Sequence, residues 1–197
     1  MANSIGHDSI ITEYIDKLIP NDLSGLKILD YGCYKGYWGW YLRSNRRGIP
    51  KFIFGVDVDS TLIPIHDRIK LYDMFCLANP NANNIPEMVL EYGEYDLTLL
   101  TETLEHMNKK QGERILRELL EVSKHIIITT PKGFMKNKIE GMPYLEHKSG
   151  WNLKDFAKLK LNYQMIHRYP RSLRLYSKII KIVKNIRTHG EFIIVWK

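Results

Sequence analysis

Leu26-Lys27-Ile28-Leu29-Asp30-Tyr31-Gly32-Cys33-Tyr34-Lys35-Gly36-Tyr37-Trp38-Gly39 reads as a buried strand running into a glycine-bearing turn and then a helix. Leu26, Ile28 and Leu29 supply the apolar strand. Gly32, Gly36 and Gly39 are spaced so that backbone can approach a bound ligand with no Cβ in the way. Asp30 stands at the strand end, where a carboxylate can hold an amine or order water. A second apolar run, residues 51–58, carries Asp57 about twenty residues beyond the turn. Nucleotide-binding α/β folds put the acid that grips ribose hydroxyls at that place.

Outward from this pair the chain alternates. Upstream, residues 9–18 place Ile10, Ile11, Tyr14, Ile15 and Leu18 on one helical face. Downstream, helices are expected at 38–46 and at 60–70, the latter interrupted near Pro64, with a strand at 73–79 ending in Asn79. A short helical patch at 86–92, a fourth strand at 95–101, a helix at 112–123 and a fifth strand at 125–130 follow. Asn152 looks like a helix cap, two further strands fit 162–168 and 191–196, and a basic helix fits 171–186. Strands and helices in this order imply a mostly parallel sheet covered on both faces.

The chain has 197 residues, 44% apolar and 26% charged, which suits one globular domain over 1–197. An N-terminal helical segment (1–25) and a basic cover segment (168–190) flank its centre. No apolar run is long enough to span a bilayer, and residues 1–11 lack a secretory pattern, so a cytoplasmic location is expected. Two cysteines, Cys33 and Cys76, make no disulfide framework and read as small buried thiols. The net charge of +7 permits an anionic partner. The basic helix is its natural contact, because no acid occurs between Asp155 and Glu191. A charge stripe on a helix that simply covers the sheet explains the same pattern.

In these motifs the sequence resembles the class I S-adenosylmethionine-dependent methyltransferases. Their first motif is similar to Leu29-Asp30-x-Gly32-Cys33-x-x-Gly36, and their second ends in the acid that Asp57 matches. The family usually has a further glycine where this chain has Tyr34. The resemblance implies a Rossmann-like α/β fold: a seven-stranded, mostly parallel sheet with helices on both faces and a terminal antiparallel strand. It implies S-adenosylmethionine as cofactor, held by Asp30, Tyr31, Gly32, Cys33, Gly36, Asp57, Val58, Asn79 and Thr101. Asn79 stands where the family commonly has an aspartate that accepts a bond from the adenine amino group, and its carbonyl can accept the same bond.

Glu102-x-x-Glu105-His106 follows the fourth strand. On a helical turn these positions share a face and aim two carboxylates and an imidazole at one point, a metal-ligand set that His147 can complete. This stretch resembles two methyltransferase branches, the small-RNA 3′-terminal 2′-O-methyltransferases and the ubiquinone-pathway O-methyltransferases. His147-Lys148-x-x-Trp151 is similar to the former. The resemblance implies methyl transfer to oxygen on a small-molecule or RNA acceptor. His106, Glu102 and His147 would be catalytic, and Glu102, Glu105, His106 and His147 would hold Mg²⁺ or Mn²⁺. Relatives with the same turn and no metal leave His106 as a metal-free base.

Two rivals stand beside this reading. One is an inactive methyltransferase-like subunit that binds nucleic acid or membrane through its basic helix. The other is a nicotinamide-dependent oxidoreductase, although the turn reads Gly-x-x-x-Gly instead of Gly-x-Gly-x-x-Gly. Trp38 and Trp40 read as packing on the sheet, and Trp151 as either a stacking platform or a loop anchor. His66 and His167 fall on a helix and a strand surface with no ligand spacing and are assigned no role.

Overall fold

The computed structural model of the chain describes residues 9–45, 47–134, 136, 139–167 and 191–197. One seven-stranded sheet organises them: β1 (Lys27–Tyr31), β2 (Phe52–Asp57), β3 (Met74–Leu77), β4 (Tyr95–Thr101), β5 (Ser123–Pro131), β6 (Asn162–His167) and β7 (Glu191–Trp196). The strand order is β3-β2-β1-β4-β5-β7-β6, and β7 runs antiparallel to both β5 and β6. The helices are α1 (Ser9–Leu18), α2 (Tyr37–Ser44), α3 (Ile63–Ile69), α4 (Glu87–Glu91), α5 (Lys109–Glu121) and α6 (Leu153–Ala157). From β1 the chain winds outward through β2 to β3, then returns to β4 beside β1. That reversal opens a crevice outside the carboxyl ends of the strands, where α/β sheets bind ligands.

Alternation along each strand feeds two apolar layers. Ile28, Ile53, Leu97, Leu99 and Ile127 pack under α1 and α2, against Ile11, Ile15, Trp38 and Leu42. Leu29, Phe54, Leu100 and Ile128 face the other way, against Ile115, Leu116 and Leu119 of α5 and Phe156 of α6. Both cysteines are free and buried. No helix among the described residues is long and apolar enough to cross a membrane. The final strand carries the chain away from the crevice, and the Lys197 ammonium donates to the carbonyls of Leu120 and Ser123.

Several boundaries differ from the sequence expectation for identifiable reasons. Pro64 does not interrupt a helix; a 3-10 turn over Ser60–Leu62 precedes it, and the proline sits in the first turn of α3, where its missing N–H is not needed. Helix α5 begins at Lys109, ahead of Gly112, because the Asn108 side chain accepts from the Gln111 N–H at 3.0 Å. Asn152 does cap α6, in a reciprocal capping box with Asp155. The expected basic helix at 171–186, and with it the cover segment at 168–190, lies outside the described residues.

Candidate active site

The turn after β1 keeps the glycine geometry although one of its residues is a tyrosine. Gly32, Tyr34 and Gly36 all have left-handed backbone, with φ of 84°, 43° and 83°. For a tyrosine that conformation costs about 1–2 kcal/mol. Specific bonds offset it: the Tyr34 N–H donates to Asp57 Oδ2 at 2.7 Å, and Asp57 Oδ1 accepts from the N–H groups of Val58 (2.8 Å) and Asp59 (3.0 Å). The acid at the tip of β2 therefore ties the turn to its own strand. Burial pushes the Asp57 pKa up, and the three N–H donors oppose that rise. Gly32 is required by close approach, since a Cβ there would stand 2.2 Å from Thr103 Oγ1.

Beneath the turn lies a buried polar cluster. Asp30 is fully buried; its Oδ2 accepts from the Tyr72 hydroxyl at 2.6 Å, and its Oδ1 has no hydrogen-bond partner among the described residues. Burial raises the Asp30 pKa to about 7, with the Tyr72 hydroxyl opposing and Asp57 adding to the rise. Gly39, expected to clear space for a ligand, clears it for Tyr72: a Cβ there would meet the ring at 2.9 Å, and one at Gly55 at 2.8 Å. His66 is not a surface residue. It is 4% exposed, and its Nε2 lies 2.7 Å from the Tyr34 carbonyl oxygen.

The remaining strand tips line the crevice. Tyr31 and Cys33 are buried in opposite apolar layers, so what they offer a ligand is backbone. Val58 is half-buried. Asn79 is exposed, and its Oδ1 accepts from the Asn81 N–H at 2.9 Å, which leaves one acceptor position on that oxygen. Thr101 accepts from the Trp38 indole N–H at 2.9 Å, so Trp38 joins α2 to the end of β4. Gln111 of α5 has the polar side chain of a surface residue, and no sequence signal marks it as buried. It is buried and donates to the Pro80 and Ala82 carbonyls at 2.9 and 2.6 Å, which fixes the turn after β3.

Past β4 the chain makes a single 3-10 turn over Leu104–His106, and Glu102 precedes it with φ of 49°. Glu102 therefore does not share a helical face with Glu105 and His106. The structure instead brings Glu105, His106 and His147 together, each offering a ligand atom within 4.8 Å of the others. The Lys148 and Ser149 N–H groups donate to the Glu105 carbonyl at 2.7 and 3.1 Å, which sets His147 beside His106 with ring centroids 5.1 Å apart. Trp151 anchors this segment: it is buried, and its indole N–H donates to Ser149 Oγ at 3.0 Å. The expected alternative, a stacking platform open to ligand, is thereby replaced.

Burial and neighbouring charges shift the titration of the triplet in opposite directions at its acid and at His106. Glu105 is buried and accepts from Thr130 Oγ1 at 3.0 Å; burial and the nearby Glu102 carboxylate hold its pKa well above the usual carboxylate range. Burial and His147 push His106 down to about 4, with the carbonyls of Glu146 and Glu102 opposing and Lys148 adding to the fall. The His106 Nδ1 meets the Glu146 carbonyl at 3.3 Å; a carbonyl only accepts, so the proton sits on Nδ1 and Nε2 keeps its lone pair. A buried carboxyl with two imidazoles, each offering an atom within 4.8 Å of the others, is a donor set that fits a divalent ion. One carboxylate and two nitrogens suit Mn²⁺ better than Mg²⁺. Beside this segment opens a hollow of about 340 Å³, with Phe134, Lys148 and Asn152 on its wall.

The family described as "Methyltransferase domain" matches residues 7–173. No curated protein matches the chain by sequence. Among solved structures, an S-adenosylmethionine-dependent methyltransferase from Mesorhizobium loti is 12% identical, with 95% of this chain and 97% of that one covered and a TM-score of 0.58. The magnesium protoporphyrin IX methyltransferase ChlM from Synechocystis PCC 6803, solved with bound SAH, is 12% identical over 95% of this chain and 80% of its own, with a TM-score of 0.58. The small RNA methyltransferase HEN1 is 15% identical over 95% of this chain and 25% of its own, with a TM-score of 0.61. At these identities the agreement is one of fold.

Proposed function

The chain belongs to the class I S-adenosylmethionine-dependent methyltransferases, and from that premise we propose that it methylates an oxygen of its acceptor, with a divalent ion at Glu105, His106 and His147. The observation that carries the proposal is the convergence of those three ligand atoms within 4.8 Å at the crevice end of the sheet. S-adenosylmethionine, when bound, supplies a sulfonium methyl for in-line displacement. The Gly32–Gly36 turn offers it backbone, the remaining acceptor position of Asp57 Oδ2 takes a ribose hydroxyl, and Asn79 accepts from the adenine amino group. Asp30 Oδ1, buried with no partner among the described residues, suits a donor from the amino acid end of the cofactor.

Glu105, His106 and His147 would hold the ion, which would supply Lewis acidity to orient an acceptor hydroxyl and ease loss of its proton to solvent. Glu102 lies just outside the triplet and sets its charge, since its carboxylate raises the proton affinity of Glu105. In this reading His106 serves as a ligand; as a metal-free base it would have to work against the burial that lowers its proton affinity. The acceptor is a small molecule or an RNA that carries negative charge. Supporting this, residues 168–190 contain no acid, and the residues on either side of them, His167 and Glu191, pair at the crevice end of the sheet. A cytoplasmic location suits such an acceptor.

Titration calorimetry with S-adenosylhomocysteine tests the cofactor site, and no heat at high protein concentration would refute it. Transfer of radiolabelled methyl to fractionated cell extract, run with EDTA and after Mn²⁺ is restored, tests the ion. Full transfer in EDTA, or in Glu105→Ala, removes the metal from the proposal.

A further inference from the structure

A non-glycine residue in the middle of a ligand-binding turn needs something to hold it there, and the structure shows what does. Tyr34 presents its N–H to Asp57 and its carbonyl to His66 Nε2, each at 2.7 Å. His66 comes from α3, which is remote in sequence, and is wedged under the turn. Its ring lies 4.6 Å from that of Phe75 and 5.1 Å from that of Tyr72, its Nε2 is 3.9 Å from Cys33 Sγ, and its Cε1 stands 3.3 Å from where a Gly36 Cβ would be. The carbonyl can only accept, so Nε2 bears the proton and Nδ1 is bare. Consistent with that neutral form, Nδ1 is buried with no hydrogen-bond partner among the described residues. Burial also disfavours the imidazolium.

We propose that His66 is a positioning residue of the cofactor turn: its Nε2–H fastens the Tyr34 carbonyl and holds Tyr34 in the left-handed conformation that a glycine would adopt unaided. The proposal rests on the reading that this turn carries S-adenosylmethionine. It goes beyond that reading because it assigns work to a buried histidine with no place in the cofactor contacts. The Asp57 bond alone fixes the peptide before Tyr34. The His66 bond fixes the peptide after it, and the two together set φ and ψ of the residue between. His66 and Tyr34 are therefore energetically coupled, and the coupling vanishes when position 34 is glycine.

Three variants and their combinations test this: His66→Leu, His66→Gln and Tyr34→Gly. Affinity for S-adenosylhomocysteine is measured by calorimetry, and stability of the free protein by urea unfolding. We expect His66→Leu to weaken binding about tenfold, the loss of one hydrogen bond and its geometry. His66→Gln, whose amide N–H reaches the same carbonyl, restores binding to within about threefold of wild type. In a Tyr34→Gly background, His66→Leu costs less than about threefold. An equal loss in both backgrounds, or His66→Gln as weak as His66→Leu, overturns the proposal.

If His66→Leu does not fold, the imidazole ¹⁵N spectrum of wild type decides. An Nε2–H tautomer supports the proposal and an Nδ1–H tautomer refutes it. Should wild type bind no S-adenosylhomocysteine, the cofactor reading fails, while the urea cycle on the free protein still reports whether His66 and Tyr34 are coupled.

Discussion

Single side chains carry the sharpest expectations. Gly32→Ala adds a methyl 2.2 Å from Thr103 Oγ1 at a φ of 84°, so it should cost about 2–4 kcal/mol in urea unfolding, and Thr103→Ala should recover part of that loss. Asp30 gives a pH signature. Its folded pKa is raised to about 7, so between about pH 4 and that value the folded state holds a proton that the unfolded chain has released. Stability contributed by Asp30 is full below this window and falls as pH rises through it. Wild type should lose about 2–4 kcal/mol across the window relative to Asp30→Asn, measured as the difference between two urea series. At this scale the sequence was uneven. Asp57 could be placed by counting from the turn, and its position at the tip of β2 agrees. Tyr34 looked like a departure from a glycine pattern, yet it keeps the backbone of one. Nothing local to residue 66 signals its contact with residue 34, since a bond between two distant segments leaves no period in either.

Elements position the second half of the site. Trp151 fits against Gly112 of α5, where a Cβ would stand 2.7 Å from the indole. Lys109 Nζ lies 3.5 Å from the Trp151 ring centroid and donates to the Gly150 carbonyl and to Asp155. Ser149 Oγ donates to the Leu104 carbonyl at 3.2 Å. The loop bearing His147 is thus clamped between α5 and the 3-10 turn. Trp151→Ala should cost about 3–5 kcal/mol and lower methyl transfer, while S-adenosylhomocysteine affinity stays within about threefold of wild type. Equal losses in both would mean that the clamp also supports the cofactor turn. Helices were visible in the sequence where apolar residues recur at 3.6, as in α1 and α5, and β5 showed as a short continuous apolar run stopped by Pro131. The Glu102–His106 stretch was misjudged because a short turn has no room for a period. Residue 102 takes a left-handed backbone that the letters Glu-Thr-Leu-Glu-His do not announce.

Taken whole, the molecule places both halves of the site on one rim of one sheet. A ligand that binds only the folded chain stabilises it by about 2.7 kcal/mol at a hundred times its dissociation constant. Saturating S-adenosylhomocysteine should therefore raise the melting temperature by about 5–10 °C for a chain of this length, followed by differential scanning calorimetry. No rise would count against the crevice as a nucleoside site. The sheet was foreseeable because strand and helix alternate along the sequence, and the antiparallel last strand came from the family likeness. Strand order depends on long-range pairing, which no local pattern encodes. The reversed direction of β7 has a practical consequence. It delivers Lys197 to the rim opposite the crevice, so a biotin or dye coupled there should tether the protein to a sensor chip with its mouth turned toward the flowing analyte.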